Sequence, residues 1–411
     1  MKWKLLLLFF ICFKSFSQEK DLNYFIAKAQ NNSPLLKDYS NQIKSATLDS
    51  LLNRAVYKPQ VTGNLNANYA PVIGGFGYDT ALSNGQSVAG LVGVNQKIIG
   101  KKRIKSQSDS FQLIKEALVL NQKITLRDLN KTIIAQYILA SASSEQIGFN
   151  QKIATLLKQE TSILKKLTQN AVYKQTDYLI FSATVKQQDL VLLQLKQQYQ
   201  NDLALLNYLS GETDTTFINL KKPEITLKNS RSSDKIVFLK QFEVDSLKLQ
   251  NQNKFIDYSY RPSLSLLGDA GYNSSFAYQA YKNFGFSVGL GLSIPIYDGN
   301  QRTLQHQKND AALATNLAYK NNFNKQYQQQ LLMLNLKRKQ SAAVENQLQL
   351  QLLIADALIE ANKKLLLTGD AQITEYIIAV GNLIAIKNAI SQNNSNKLQI
   401  INEINYWKFN D

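Results

Sequence analysis

Between Val72 and Lys222 the chain contains no proline, and none follows Pro295. Glycine is almost as scarce. Between 101 and 210 only Gly148 occurs, and beyond Gly299 only Gly369 and Gly381. A proline inside a helix costs about 3 kcal/mol and a glycine about 1 kcal/mol. Two stretches rich in Leu, Gln, Lys, Ala and Ile therefore run free of the usual helix breakers. They predict two pairs of long helices: about 101–167 with a return helix at about 175–209, and about 300–367 with a return helix at about 374–408. At 1.5 Å per residue the first of these would extend about 100 Å. Leu192, Leu195, Tyr199, Leu203 and Leu206 step by three and four and share one stripe, the spacing with which neighbouring helices meet along a seam. On composition alone an ordinary soluble helical bundle would fit.

Short segments of the opposite character precede each long helix. In "VTGNLNANYAP" the residues Val61, Gly63, Leu65, Ala67 and Tyr69 alternate with Thr62, Asn64, Asn66 and Asn68. In "SLSLLGDAGY" Leu264, Leu266, Gly268, Ala270 and Tyr272 share one face, and in "FSVGLGLSIPI" the alternate residues from Phe286 to Ile296 do the same. Strands are expected at about 58–72, 86–98, 261–273 and 284–297. Period-two segments of about ten residues have the length of a tilted transmembrane strand. Tyr57, Tyr69, Tyr260, Tyr272 and Phe284 fall near their ends, where an interfacial aromatic girdle would lie; ordinary sheet aromatics are the alternative. The loops at about 73–86 and 273–284 would then cover the mouth of a barrel.

The two halves repeat each other. "YKPQVTGNLNANY" (57–69) matches "YRPSLSLLGDAGY" (260–272), and Gly90, Leu91, Gly100 and Arg103 match Gly289, Leu290, Gly299 and Arg302. Asp177-Tyr178 falls on Glu375-Tyr376, and Asn207-Tyr208 on Asn405-Tyr406. The domain reading is a first repeat at 18–211, a linker or equatorial segment at 212–235, and a second repeat at 236–411. Each repeat reads helix, strand, strand, long helix, helix. Two repeats supply four strands, whereas bacterial outer-membrane barrels begin at eight. Four strands in a bilayer would leave two unsatisfied edges, which hydrocarbon does not tolerate. Chains would have to pool their strands, eight in a dimer or twelve in a trimer.

The opening residues "MKWKLLLLFFICFKSFSQ" carry Lys2 and Lys4, an apolar run and then small residues, the pattern of a secretory signal peptide over 1–17. Cys12, the single cysteine, lies inside that run after Phe10-Ile11, not after the small residues of a lipidation site. The exported chain would hold no thiol and fold by packing alone. After residue 17 no apolar run looks long enough for a transmembrane helix, a test that says nothing of a barrel. The net charge of +17 falls to +14 without Lys2, Lys4 and Lys14. The lysines are dispersed as on solvated helix faces, and export argues against a nucleic-acid partner.

The paired strand-to-helix junctions, "SIPIYDGNQR" above all, together with the duplication and the Asp/Glu-Tyr returns, resemble the TolC-like outer-membrane efflux family. The resemblance spans almost all of residues 20–409. It implies an α+β membrane protein: a homotrimer whose three chains build one twelve-stranded β-barrel in the outer-membrane lipid, continued by an α-helical barrel through the periplasm. It implies a passive exit duct of a tripartite efflux or type I secretion system, docked to a periplasmic adaptor and an inner-membrane pump of RND, ABC or MFS type. The helix tips would lie near 168–176 and 368–374, with Asn170, Ala171, Val172, Gly369, Asp370 and Ala371 as adaptor-docking residues. Asp177, Glu375 and Asp370 would form the periplasmic gate. A simpler reading has Asp177 after Thr176, and Glu375 after Thr374, capping helix N-termini. Gly100, Arg103, Pro295, Asp298, Gly299 and Arg302 mark the strand-to-helix junctions, and Pro59 and Pro262 the strand entries. The chain departs from the family at Ile378, where a second acid is usual, and at Ala371, where a basic residue pairs the tips.

The inventory argues against an enzyme. His306 is the only histidine, which removes His-based triads and the commonest zinc sites, and no cofactor or metal is expected. No Met- or His-rich tract suggests a copper relay. The competing class is a pore-less periplasmic adaptor or structural coiled-coil protein. It would show one helical hairpin flanked by soluble β domains, whereas here two hairpins alternate with two strand pairs.

Overall fold

The computed structural model describes residues 20–79, 81, 85–214, 217–228, 237–370 and 372–408. The leader segment, part of the linker and Ala371 lie outside the described residues. In chain order the elements are α1 (Leu22–Asn32), α2 (Pro34–Val56), β1 (Gln60–Tyr69), β2 (Gln86–Ile98), α3 (Lys101–Gln169) and α4 (Gln175–Ser210). The second half follows with α5 (Val237–Ser259), β3 (Ser263–Ser274), a short 3-10 turn at Ala280–Lys282, β4 (Phe284–Ser293), α6 (Gln301–Thr368) and α7 (Ile373–Lys408). α3 has 69 residues and α6 has 68, unbroken through the stretches that lack proline.

Two compact units emerge. One comprises Met1–Leu36, Ile124–Ile236 and Asn324–Asp411; the other comprises Lys37–Lys123 and Val237–Phe323. Each draws on both sequence repeats, and α3 and α6 contribute to both.

The second unit holds one antiparallel sheet in the order β1-β2-β3-β4. The two repeats join through β2 and β3, with Val88 opposite Ser274 and Ile98 opposite Leu264. β4 stops at Ser293, short of the expected 297, because Pro295 has no N–H to give a ladder. Elsewhere in this unit, buried Ser106 and Asn251 bond reciprocally: Ser106 Oγ donates to Asn251 Oδ1 at 3.0 Å, and Asn251 Nδ2 donates to the Ser106 carbonyl at 2.8 Å. Phe323 of α6 packs against Phe238 and Phe242 of α5, with ring centroids 6.0 and 5.7 Å apart.

The first unit has two apolar clusters. In one, Phe25 and Ala29 of α1 meet Ile133, Tyr137 and Ala140 of α3 and Tyr199, Leu203 and Leu206 of α4. Tyr137 Oη donates to the Lys221 carbonyl at 2.5 Å, and Tyr199 Oη donates to that of Ile218, which straps the linker to the helices. In the stripe read from the sequence, Leu192, Tyr199, Leu203 and Leu206 are buried and Leu195 is half-buried. The other cluster joins α3, α4, α6 and α7 near the helix returns, with Leu157, Leu164, Phe181, Leu366 and Tyr376 at its centre.

One sequence expectation is corrected. α7 does contain a window apolar enough to cross a membrane by length and composition, with a mean hydropathy of 1.3. Its apolar residues are interrupted by Ser391, Asn393, Ser395 and Asn402, all buried in this chain. Asn393 and Ser341 satisfy each other, Ser341 Oγ donating to Asn393 Oδ1 at 3.0 Å. Ile373, Tyr376, Ala379, Val380 and Leu383 meanwhile pack into the second cluster.

Candidate functional site

The sheet has two chemically distinct faces, and its register defines them. Leu65 lies opposite Gly90, Gly90 opposite Tyr272, and Tyr272 opposite Phe284, so side chains of one parity share a face across all four strands. That face carries Val61, Leu65, Val88, Val92, Leu264, Leu266, Phe286, Val288, Leu290 and Leu292. The opposite face carries Thr62, Asn64, Asn66, Asn68, Ser87, Ser265, Asp269, Asn273 and Ser287, with glycines, Ala89, Leu91 and Leu267 between them. Asp269 accepts a hydrogen bond from Ser287 Oγ at 2.7 Å on this polar face. The apolar face is bare: Leu65 is 79% exposed, Phe286 83%, Val288 73% and Leu290 72%. In a water-soluble sheet the apolar face is the one that is covered. β1 and β4 are each paired on one side only.

At the α6 end of β4, Asp298 organises the junction. Its Oδ1 accepts from Asn300 N and its Oδ2 from Arg302 N, both at 2.9 Å, which satisfies N–H groups that a helix start leaves orphaned. Gly299 at φ 64° and Asn300 at φ 68° make the left-handed reversal. Arg302 then reaches back to α5, its Nη2 2.7 Å and its Nε 3.2 Å from Asp257 Oδ1. His306 Nε2 lies 3.0 Å from the same oxygen and its Nδ1 3.1 Å from Asn253 Oδ1. The hydrogen bonds from Arg302 hold the Asp257 carboxyl below the usual carboxylate range. His306 is half-buried in this cluster. At the matching junction in the first repeat, the Gly100 carbonyl accepts from Arg103 N at 2.9 Å. Pro59 and Pro262 each stand one residue before a strand, where a missing N–H costs no ladder bond.

The helix returns lie in the other unit, and the structure brings the two together. After α3, Ala171 adopts φ 60° and Val172 N bonds the Leu167 carbonyl at 2.9 Å. After α6, Gly369 adopts φ 85° and Asp370 N bonds the Leu365 carbonyl at 3.0 Å. Both are left-handed helix stops that recover an orphan carbonyl. A Cβ on Gly369 would stand 2.6 Å from Val172 Cγ1, so the returns touch at the one residue type that permits it. Tyr173 Oη also donates to the Leu366 carbonyl at 3.3 Å. Among the described residues the two returns are thus held by van der Waals contact and a phenol.

Asp177 does cap its helix. It lies in the first turn of α4, and its Oδ2 accepts from Lys174 N at 3.1 Å. Glu375 occupies the corresponding place in α7. Both sit where the helix dipole favours an anion. Thr176 and Thr374 fall inside the helices rather than at the caps, which Lys174 and Gln372 occupy. Asp370 and Glu375 are exposed and form no ion pair among the described residues.

Sequence reasoning missed Glu160. It lies on α3 within the return-end cluster and is 1% exposed. Its Oε1 is 4.0 Å from Lys363 Nζ, while its Oε2 is buried with no hydrogen-bond partner. The Tyr376 hydroxyl is also buried and unpartnered. Burial pushes the Glu160 carboxyl above its usual range, and Lys363 only partly offsets this. Burial, then the carboxylates of Glu160 and Glu360, push the Tyr376 phenol up as well. A carboxylate in a helical stretch otherwise rich in solvated charge gives no sign in the sequence that it turns inward. Because the folded chain holds the Glu160 proton more tightly than the unfolded chain, the stability tied to its neutral form is complete below the ordinary glutamate range. It is lost as pH rises through the raised value. Glu160→Gln should therefore melt at a higher temperature than the parent at about pH 8, with the difference closing towards about pH 4, as circular dichroism melts would report.

No protein-family model and no curated protein sequence matches this chain. Solved structures do. A membrane protein from Pseudomonas aeruginosa superposes with a TM-score of 0.78 at 13% identity, over 94% of this chain and 89% of that one. The outer membrane protein VceC of Vibrio cholerae gives 0.77 at 14% identity, over 94% and 96%. The outer membrane channel CmeC of Campylobacter jejuni gives 0.75 at 13%, over 94% and 85%. The fold of this chain is that of the TolC-like outer-membrane channels.

Proposed function

We propose that the chain is an outer-membrane export channel: a homotrimer whose twelve strands close one barrel in lipid, with the helices forming a duct in the periplasm. The observation that carries this reading is the sheet. Its apolar face is bare, its polar face is lined by Asn, Ser and Gly, and both edges are open. Hydrocarbon on one side and water on the other satisfy the two faces, and pairing β4 of one copy with β1 of the next satisfies the edges. Such pairing is antiparallel, as all three observed pairings are, so it extends the same pattern around a closed ring. We take three copies rather than two because a trimer is the assembly that the resemblance to the TolC-like channels implies; the strand arithmetic alone allows either.

On this reading the duct is passive. Asn170, Ala171, Val172, Gly369, Asp370 and Ala371 meet a periplasmic adaptor, which joins the duct to an inner-membrane pump, and Asp177, Asp370 and Glu375 line the periplasmic entrance. The exposed carboxylates of Asp370 and Glu375 support an entrance role; the cap made by Asp177 is compatible with one. Outer membranes from expressing cells should yield a heat-modifiable trimer, and the purified protein should give discrete conductance steps in planar bilayers. Recovery as a monomer from the soluble periplasmic fraction, with no conductance, would overturn the reading and favour a pore-less adaptor.

A further inference from the structure

The end of the sheet nearest α3 and α6 is strongly basic. The register places the start of β1, the end of β2, the start of β3 and the end of β4 together, with Gln60 opposite Asn95, Ile98 opposite Leu264 and Ser263 opposite Ser293. The connections leaving that end carry Arg54, Lys58, Lys101, Lys102, Lys105 and Arg261, all exposed. Among the described residues none of the six forms an ion pair. Of the acids nearest these connections, Asp257 is taken up by Arg302 and His306 and Asp298 by the α6 N-terminus, while Asp49 and Asp109 lie about one turn further along α2 and α3.

Local structure makes the placement of these charges costly. Lys101, Lys102 and Lys105 stand in the first turns of α3, where the helix dipole repels cations, and that turn has no acid to compensate. An anion supplied from outside would reverse the sign of that interaction. The neighbouring surface identifies its source. The basic connections border the bare apolar sheet face, and Ile296 and Tyr297, both fully outward, lie in the same zone. Apolar surface, then aromatic, then cation is the order in which acyl chains, the interface and headgroup phosphates are met.

We propose that this basic collar binds the phosphates of anionic phospholipids in the leaflet next to α3 and α6. The proposal rests on the reading of the sheet as a membrane barrel. It adds a lipid preference that the barrel alone does not require, since an apolar band accepts any acyl chain.

The test uses the purified full chain in detergent, mixed with phosphatidylglycerol or phosphatidylcholine of identical acyl chains, with retained lipid counted by native mass spectrometry. Each cation near an anionic surface contributes roughly fivefold in affinity, so the parent should retain phosphatidylglycerol at least about tenfold better. K58Q/K101Q/K102Q/K105Q/R261Q should lose that preference while remaining a heat-modifiable trimer, and K58R/K101R/K102R/K105R should keep it. Equal retention of the two lipids by the parent, or an unchanged preference in the glutamine variant, would overturn the proposal. Should the glutamine variant fail to assemble, the parent decides by salt: the preference should collapse as NaCl is raised, and a salt-independent preference counts against the collar. Failure of the parent to insert into bilayers at all would instead sink the channel reading.

Discussion

Val288→Lys with Leu290→Lys should remove the protein from the outer membrane as a trimer. Both residues lie on the bare face of β4, an edge strand that in the proposed assembly must both face lipid and pair with a second copy. A lysine at the middle of the lipid face of a barrel costs about 2–4 kcal/mol. The two substitutions recur in each copy, so the cost rises with every subunit added, while a folded chain has only about 5–15 kcal/mol in hand. The heat-modifiable trimer should fall below detection in outer-membrane fractions. Asn66→Lys is the control. It adds the same charge to the same sheet, but on the polar face, where water would fill the lumen. Its trimer level should stay close to the parent's. Equal loss in both variants would show that the two faces do not differ in solvent, and the lipid assignment would fail.

The sequence already carried the parity behind this experiment. Alternation over Val61–Tyr69 and Phe286–Leu292 marks a face, and the repeat marks four strands. The long helices were legible for a complementary reason: proline is absent where α3 and α6 run, Gly148 is the one glycine inside them, and glycines return at Gly100, Gly299 and Gly369. Less legible was anything that depends on which long-range neighbours meet. Arg302 could be marked as a junction residue from the repeat, but its partner Asp257 lies 45 positions earlier on a different helix. The residue equivalent to Asp257 in the first repeat is Arg54, so the duplication offers no hint of the pair. Glu160 is hidden more deeply, since its burial follows from four helices converging and not from its own surroundings in the chain. The contact between Val172 and Gly369 was invisible in the same way. Each residue was identifiable as a turn, but nothing local says that one turn packs on the other.

That contact frames the second large expected effect. Asn170→Ser, Val172→Ser and Tyr173→Ser together should abolish export while leaving trimers in the outer membrane. Asn170 and Val172 are exposed, and Tyr173 gives one 3.3 Å hydrogen bond to the Leu366 carbonyl. Each such substitution costs roughly 0.5–3 kcal/mol, with the exposed Asn170 and Val172 at the low end and Tyr173, which packs against the return-end cluster, above them, while that cluster keeps Leu157, Leu164, Phe181 and Tyr376. The variant leaves every strand residue in place, so barrel assembly should proceed. It removes the side chains that hold one return against the other and that an adaptor would grip. Export should be followed as accumulation of a fluorescent efflux substrate in cells, beside trimer levels on the same samples. Loss of export with full trimer shows that export needs the returns, and loss of adaptor co-purification with the same trimer would assign that need to docking rather than to the contact between the returns. Full export with full trimer would mean that the partner engages the helices elsewhere, and the assignment of Asn170 to Ala371 as docking residues would have to be abandoned even though the channel reading survived.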